Sequence, residues 1–383
     1  MLKAAKFIIS FVRSNFLPYS HLSLVPIIVL FSHELEFKYV VEKGSSHFYQ
    51  LPSQIKEVSL FSIRGMKGIT IRKAVVTDFA AILEMSEGIY SGHDYFPCVF
   101  HLWLAKANRT IFVAQYGDKL VGLRAIHIVD EGKTFISQGL RIHPRFRGLG
   151  LSTRLIDAIH QYIRREYPKV CRERFTTKSD NIERLAIQKK YGDTALCERD
   201  ILAFYVSKES LKLHHLEEVA TNFDVKVKPC TRTFVYNSIL DDSVANMFPG
   251  RTIIIDWEPF EVLRSNIDCI FEDGDCVFSD RDADDCCNGQ LPKSFAHGRR
   301  SPRVQHMHWV ASIYTEDPVI FQGHVVQQLR SACQQVEGDF IFSTFHKERH
   351  THWGKKLLEE TIGLKPVDFF RDFGLMMFQR RFK

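Results

Sequence analysis

The chain has 383 residues, of which 45% are hydrophobic and 25% charged, with a formal net charge of +6. That is ordinary globular composition at a length for two or three domains. The charge is too mild, and the basic residues too dispersed, to argue for nucleic acid. Nine cysteines without a C-x-x-C pair argue against a disulfide frame and fit reduced intracellular thiols.

At the N-terminus, Lys3, Lys6 and Arg13 precede an apolar run, Leu22 to Phe31, that Pro26 interrupts. The run is too short to span a membrane. Residues 1–65 read as a poorly packed extension. A targeting segment is the alternative, because no acidic residue occurs before Glu34. Ile69 to Arg72 reads as a strand. Thr77 or Asp78 then caps a helix through Phe79, Ile82, Leu83 and Met85, and Gly88 breaks it. Ser91 to Pro97 leads into an aromatic amphipathic segment, Phe100 to Leu104. Thr110 to Tyr116 and Leu120 to Val129 read as a hairpin joined at Gly117-Asp118. Asp130-Glu131-Gly132 turns the chain into a third strand with Phe135, Ile136, Leu140 and Ile142, which Pro144 ends.

The next helix carries Leu151, Leu155, Ile156, Ile159, Tyr162 and Ile163 at three- and four-residue spacing, and Pro168 stops it. Between that strand and this helix lies Arg145-Phe146-Arg147-Gly148-Leu149-Gly150. A strand, a glycine loop and a helix N-terminus make an anion site. The loop amides and the orphan N–H groups of the first turn converge, and the helix dipole favours negative charge. Gly148 and Gly150 let the backbone approach a phosphate, and Arg145 and Arg147 add donors. The natural ligand is a pyrophosphate. The loop is neither a P-loop nor a dinucleotide fingerprint, since both spacings are absent. Beyond it, Arg174 to Thr177 reads as a strand, Asn181 to Gly192 as a capped helix, and Leu196 to Val206 as a strand.

The hexapeptide Arg145 to Gly150 resembles the (Q/R)-x-x-G-x-(G/A) signature of the GCN5-related N-acetyltransferases. The resemblance implies an α/β fold, an α+β mixed sheet, over roughly residues 66–208, with acetyl-CoA as co-substrate. It implies a pyrophosphate site at Arg145, Phe146, Arg147, Gly148, Leu149, Gly150, Leu151 and Ser152. It also implies a central strand that splays from its neighbour, so that the main chain of Leu140, Arg141 and Ile142 holds the pantetheine arm. Asn181 stands where the family often places an asparagine facing that arm; the residues themselves also read as a plain N-cap. The tyrosine that commonly follows seven positions later, and protonates the leaving thiolate, is Gln188 here. Tyr191 could substitute only if the helix is shifted.

Residues 209–225 are charged and read as a connector. The remainder, 226–383, echoes the first domain. Trp309 to Tyr314 reads as a strand, Gly323 to Val336 as a helix, Phe340 to Phe345 as a strand, Trp353 to Thr361 as a helix and Leu375 to Arg380 as a strand. Its connecting loop, Tyr314-Thr315-Glu316-Asp317-Pro318, has two carboxylates that would repel a pyrophosphate and a proline without a donor amide. A second, degenerate acetyltransferase-like domain without a cofactor site is therefore expected. Its role would be to pack on the first domain or to shape its substrate cleft. Residues 273–303 read as a solvated insertion loop. Its aspartates lack the pattern of a calcium loop, and Cys286, Cys287, His297, His306 and His308 match no zinc spacing, so no metal is expected.

Acetyl transfer to an amine needs a base, oxyanion donors and a route for the thiolate. Candidate bases are Glu87, His93 and Asp94, with His127 better read as a structural strand residue. Tyr90, Asp94 and Tyr95 suit a small cationic amine, the carboxylate holding the ammonium and the rings its body. Rigid-turn roles for the same residues remain open.

From Ile69 onward the chain resembles the vertebrate histidine N-acetyltransferase family, on TIRKAVVTDF, GIYSGHDYFP, SQGLRIHPRFRGLGLS and the closing FGLMMFQRR. That resemblance implies acetyl transfer to the α-amino group of free L-histidine in the cytoplasm, with no nucleic-acid partner and no stable membrane insertion. Two alternatives stand beside it. One is an enzyme for another small amine or a protein N-terminus, which an open cleft would favour over a pocket closed by the second domain. The other is a non-catalytic acetyl-CoA-binding protein, motivated by Gln188.

Overall fold

The computed structural model describes residues 25–31, 34–40, 68–211, 213–222 and 227–382. Most of the expected N-terminal extension lies outside them. Within it, β1 (Val25–Phe31) and β2 (Glu34–Val40) form an antiparallel hairpin with Phe31 opposite Glu34. That hairpin belongs to a separate unit from residues 67–383.

In the larger unit, β3 (Ile69–Lys73), β4 (Arg109–Tyr116), β5 (Lys119–Val129) and β6 (Thr134–Ile142) form an antiparallel run. Strand alternation sorts their side chains. Ile111, Val113, Leu123 and Ala125 pack with α1 (Phe79–Ser86) and α2 (Phe96–Ala105) through Ile82, Phe96, Phe100 and Trp103. Helix α3 (Leu151–Glu166) packs on β4, β5 and β6 from the opposite face, with Leu155, Ile156, Ile159 and Ile163 fully buried. Burial of each such side chain is worth about 1.5–3 kcal/mol. The first helix is not capped as expected. The Asp78 carboxylate accepts from the Val75 amide at 2.8 Å and pairs with both Arg72 terminal nitrogens.

Next come β7 (Arg172–Lys178), α4 (Ile182–Tyr191) and β8 (Thr194–Val206). The expected boundary after residue 208 is not a boundary of the sheet. The C-terminal strand β17 (Leu375–Arg381) inserts between β7 and β8, antiparallel to both. Strand β8 in turn pairs with β15 (Phe340–His346) of the second half. Each half thus completes the other's sheet, and the central order is β6-β7-β17-β8-β15. The sheet continues through β14 (Met307–Thr315), β13 (Ser294–Pro302) and β12 (Cys276–Ser279), and two-residue strands at Lys228–Pro229 and Lys365–Pro366 bring it to thirteen among the described residues.

Two other expectations fail here. The connector contains a helix, α5 (Leu213–Asn222), whose Leu216 and Val219 are buried in the core of the second half. Their i, i+3 spacing was masked by the surrounding charge. The insertion 273–303 is not a solvated loop: it supplies two strands of the sheet, Cys276–Ser279 and Ser294–Pro302, with a short helix, Ala283–Cys287, between them. Asp280 is buried and accepts from the Lys293 and Ser294 amides, and His297, 1% exposed, donates its Nε2–H to the Ile270 carbonyl at 3.0 Å. Among the described residues no helix is long and apolar enough to cross a membrane.

Candidate active site

Strands β6 and β7 run parallel but pair over only three residues, Thr134–Ile136 with Arg172–Arg174. Beyond that point they part, and the edge of β6 facing β7 is unpaired from Ser137 to Ile142. A bulge sits just past the apex. Gln138 faces Ala125 and Arg141 faces Leu123, so Gly139 and Leu140 together oppose Arg124. Gly139 has φ +66°, and a Cβ there would lie 2.8 Å from the Phe96 ring.

The glycine loop closes the open end of this fork. Gly148 and Gly150 have φ of +74° and +80°, and a Cβ on either would meet nothing within 4 Å. The chain pays the entropy of two glycines for open space that it does not itself fill. Gly150 is also the N-cap of α3 with no side chain capping it, and the first intrahelical bond is Arg154 N–H to Gly150 C=O. The amides of Leu151, Ser152 and Thr153 therefore remain for a ligand. Arg145 and Arg147 are exposed and make no ion pair among the described residues; Arg147 Nε donates to the Ile142 carbonyl at 3.1 Å. Leu151 is buried as a core residue, while Phe146 packs against Tyr116 and His143. These residues fit a pyrophosphate. Arg141 does not belong with them. Its buried guanidinium pairs with Asp94 and lies over the Phe96 ring.

Asn181 realises the N-cap reading. Its Oδ1 accepts from the Arg184 amide and its Nδ2 donates to Thr177 Oγ1, both at 3.1 Å. Tyr191 donates its hydroxyl to Asp157 of α3 at 3.1 Å and stacks beneath Arg380, so it is engaged away from the fork. Gln188 is 3% exposed, and neither its amide nitrogen nor its oxygen has a partner among the described residues.

A charged network that the sequence did not announce lies at the apex. The fully buried Glu173 of β7 accepts from Arg124 and Ser137 on one oxygen. The other oxygen meets His160 of α3 at 3.0 Å and Arg380 of β17 at 3.2 Å. Burial pushes this carboxyl up, but the Arg124 charge, the His160 hydrogen bond and the Arg380 charge outweigh it and hold it well below the ordinary range. The available signal was a charge at an inward register position of a strand, Glu173 between Arg172 and Arg174. Its partners come from four other elements, so spacing could not supply them.

On the opposite face the acceptor segment meets the second half. Val304 N–H donates to Asp94 C=O at 2.9 Å and Gln305 N–H to Gly92 C=O at 3.1 Å. His93 Nδ1 lies 3.2 Å from His308 Nε2. Burial first, then neighbouring His306 and Arg303, lowers His93, and burial and Arg303 lower His308 well below its ordinary value, so both rings are neutral at pH 7. Tyr95 lies beneath two guanidiniums, Arg141 at 5.5 Å and Arg303 at 5.2 Å. The turn Asp256-Trp257, with φ of +43° and +71°, reaches the same face. Trp257 C=O accepts from Thr176 of the splayed β7, and Asp256 accepts from Ser301 and Arg303.

Among the candidate bases, Asp94 is 1% exposed, caps the Phe96 amide, and keeps Oδ2 without a partner. Glu87 is exposed at the end of α1 and makes no side-chain hydrogen bond or ion pair among the described residues, so the structure does not bring it into the cluster. Tyr90 is 40% exposed and its ring lies 6.4 Å from Phe369. His127 is tied to Glu258 at 3.0 Å and Asn108 at 2.9 Å, the structural role expected of it. A groove of about 360 Å³ between β3 and α3, lined by Lys73, Phe112 and Tyr162, lies three strands from the fork and holds none of the expected residues. Among the described residues no group of three or more His, Cys, Asp or Glu is placed to hold a metal ion.

Comparison with known proteins agrees with this geometry. Residues 77–192 match the acetyltransferase (GNAT) family, and residues 224–347 match the histidine N-acetyltransferase C-terminal family. Histidine N-acetyltransferase of Oreochromis niloticus is 30% identical over 213 residues, 52% of this chain and 61% of that protein. The Scomber australasicus protein of the same name is 30% identical over 212 residues, with the same coverage. The alignment thus spans about three fifths of these curated relatives. A GCN5-related N-acetyltransferase structure from Sphaerobacter thermophilus superposes with a TM-score of 0.51 at 12% identity, covering 83% of this chain and 96% of that one, which shows the shared fold. The fork and the open glycine loop at a helix N-terminus thus lie in the stretch similar to the GNAT acetyltransferases, and residues 224–347 are similar to the C-terminal part of the histidine N-acetyltransferases.

Proposed function

We propose that the protein is an acetyl-CoA-dependent N-acetyltransferase whose acceptor is the α-amino group of free L-histidine. The observation that carries the acceptor class is the closure of the segment 90–97 by residues 303–308 of the second half, which suits a free amino acid better than an extended peptide. Similarity to proteins named histidine N-acetyltransferase supports the choice of histidine among amino acids.

In this reading Gly148, Gly150 and the α3 N-terminus hold the pyrophosphate, and the unpaired edge of β6 takes the pantetheine arm. The neutral amine attacks the thioester carbonyl carbon from the face of Tyr95 and His93. An amide of the β6 bulge donates to the oxyanion. The amine proton passes to the acceptor segment, where Asp94 Oδ2 is the carboxylate oxygen left without a partner; Glu87 stands in solvent. The carbon–sulfur bond then breaks, and CoA leaves with the electron pair.

The test is CoA release by the purified chain given acetyl-CoA and a panel of free amino acids, with the product mass determined. Turnover with histidine alone is expected. Acetyl-CoA binding without turnover on any amino acid would transfer support to a protein acceptor or to a non-catalytic acetyl-CoA-binding protein.

A further inference from the structure

The face of α4 that meets the fork carries an unpaired cation and an unpaired amide. Arg184 and Gln188 stand four residues apart and so share one face of the helix. Arg184 is 9% exposed, and its side chain makes no hydrogen bond or ion pair among the described residues. Its guanidinium lies 4.1 Å from the centre of the Phe175 ring, and Phe175 is the first residue of β7 past its pairing with β6. Nη1 of Arg184, Nη1 of Arg124 and both polar atoms of Gln188 are buried without a partner.

The arrangement is unbalanced in charge. The carboxylates within reach are already committed: Glu173 to Arg124 and Arg380, and Asp193 to Arg380 through both oxygens at 2.6 and 2.7 Å. On α3, Asp157 is taken by Tyr191 and His160 by Glu173. Arg184 is left as the excess cation. Burial first, and the Arg124 charge second, pull it down to about 9, which still leaves it charged at neutral pH. Unmatched buried donors and an unmatched buried charge destabilise a fold, and they persist where a ligand supplies the missing partner.

We propose that Arg184, with Arg124 behind it and Gln188 one turn on, forms an anion hole at the fork that receives the CoA thiolate as the carbon–sulfur bond breaks. This rests on the acetyl-transfer reading above. The electron pair stays on sulfur, the guanidinium balances it, and no proton is donated within the site; the amine proton goes to the acceptor side, and CoA is protonated by solvent after release. A fixed charge at the point where negative charge develops thus does the work of a protonating phenol.

The experiment titrates the thiol of CoA bound to the full chain, by its thiolate absorbance in the ultraviolet. In the wild type the bound thiol should ionise ~1–2 units below free CoA. Arg184→Met should return it to the free value and lower kcat with little change in KM, and Arg184→Lys should restore part of the shift. Because the cation has no counter-charge and methionine keeps the packing on the Phe175 ring, Arg184→Met should not lower Tm, whereas loss of a residue serving only structure would. A bound thiol in the wild type that titrates as free CoA does, or an Arg184→Met variant that keeps the shift, overturns the inference while leaving the proposed activity standing. Failure of CoA to bind at all would sink the proposed activity, and this inference with it.

Discussion

The molecule contains the same strand-turn-helix-strand unit twice, and the two copies differ where an anion would sit. In the first, β6 and β7 pair over three residues and separate. In the second, β14 and β15 are also parallel but stay paired over six, Met307–Ser312 with Phe340–Phe345. Helix α3 begins at an uncapped glycine with open space around it. Its counterpart α6 (Pro318–Gln335) begins with proline, and its first amides are taken by Asp317, whose Oδ1 accepts from Val319 and Ile320. Helix α3 buries one stripe, while α6 buries Phe321, Val325, Val326 and Leu329 along with the polar Gln322, His324 and Gln328. A site for pyrophosphate and pantetheine requires unmatched backbone amides and a gap between strands. The second copy has filled both: its strands stay paired and its helix amides are capped, while β17 and residues 303–308 of the same half pack against the first.

Four perturbations test that contrast. Deleting residues 375–383 should have the largest effect. It removes β17 from between β7 and β8, leaves both edges unpaired, and should abolish the cooperative unfolding transition seen by circular dichroism. An intact transition would show that the halves do not depend on the exchanged strand. Glu173→Gln should lower stability by roughly 3–5 kcal/mol in denaturant titration, because Arg124 and Arg380 lose a buried counter-charge. The pH profile carries the sign. The folded carboxyl is held well below its ordinary value of 4.5, so its contribution is complete above that value and is lost as pH falls through the depressed one. The acid limb of the stability curve should be shallower in Glu173→Gln than in wild type.

Gly148→Val places a branched side chain in the open space at φ +74°. CoA affinity, measured by calorimetry, should fall about a hundredfold, ~2.7 kcal/mol, in a protein that still folds. Unchanged affinity would move the pyrophosphate elsewhere. Asp317→Ala should have the smallest effect, about 1 kcal/mol of stability from the lost cap, with CoA affinity unchanged. A gain or loss of CoA binding there would show that the second helix terminus is not inert.

Much of this was legible from residues alone. The periods of α3 and of β4 to β6 are regular, and Gly117, Pro144 and Pro168 punctuate them. The open, uncapped turn at residues 148–150 was readable from its glycines, and the capped second-half counterpart from Asp317 and Pro318. Asn181 was readable as a cap. Other positions were misread because the deciding contact comes from far along the chain. Arg141 was read only for its main chain on the central strand, and its guanidinium pairs with Asp94, 47 residues away. The stretch 273–303 looked solvated because its charges are dense, yet Asp280 and His297 are enclosed by strands. Leu216 and Val219 were obscured by flanking charge until α6 gave them a surface to bury against.

What the sequence determined by itself was local: helix periods, turn residues, and the backbone freedom and charge of residues 145–150. These depend on neighbours within a few positions, and such neighbours are visible in a string. What only the tertiary structure decided was which elements share a sheet and which buried charges find partners. Strand β17 completes the first half from the far end of the chain, Glu173 collects donors from four elements, and the Arg184 guanidinium is left without an acceptor among the described residues. The reason is physical. A buried charge is stable or costly according to what surrounds it in space, and the chain order of residues separated by more than a hundred positions carries no record of that.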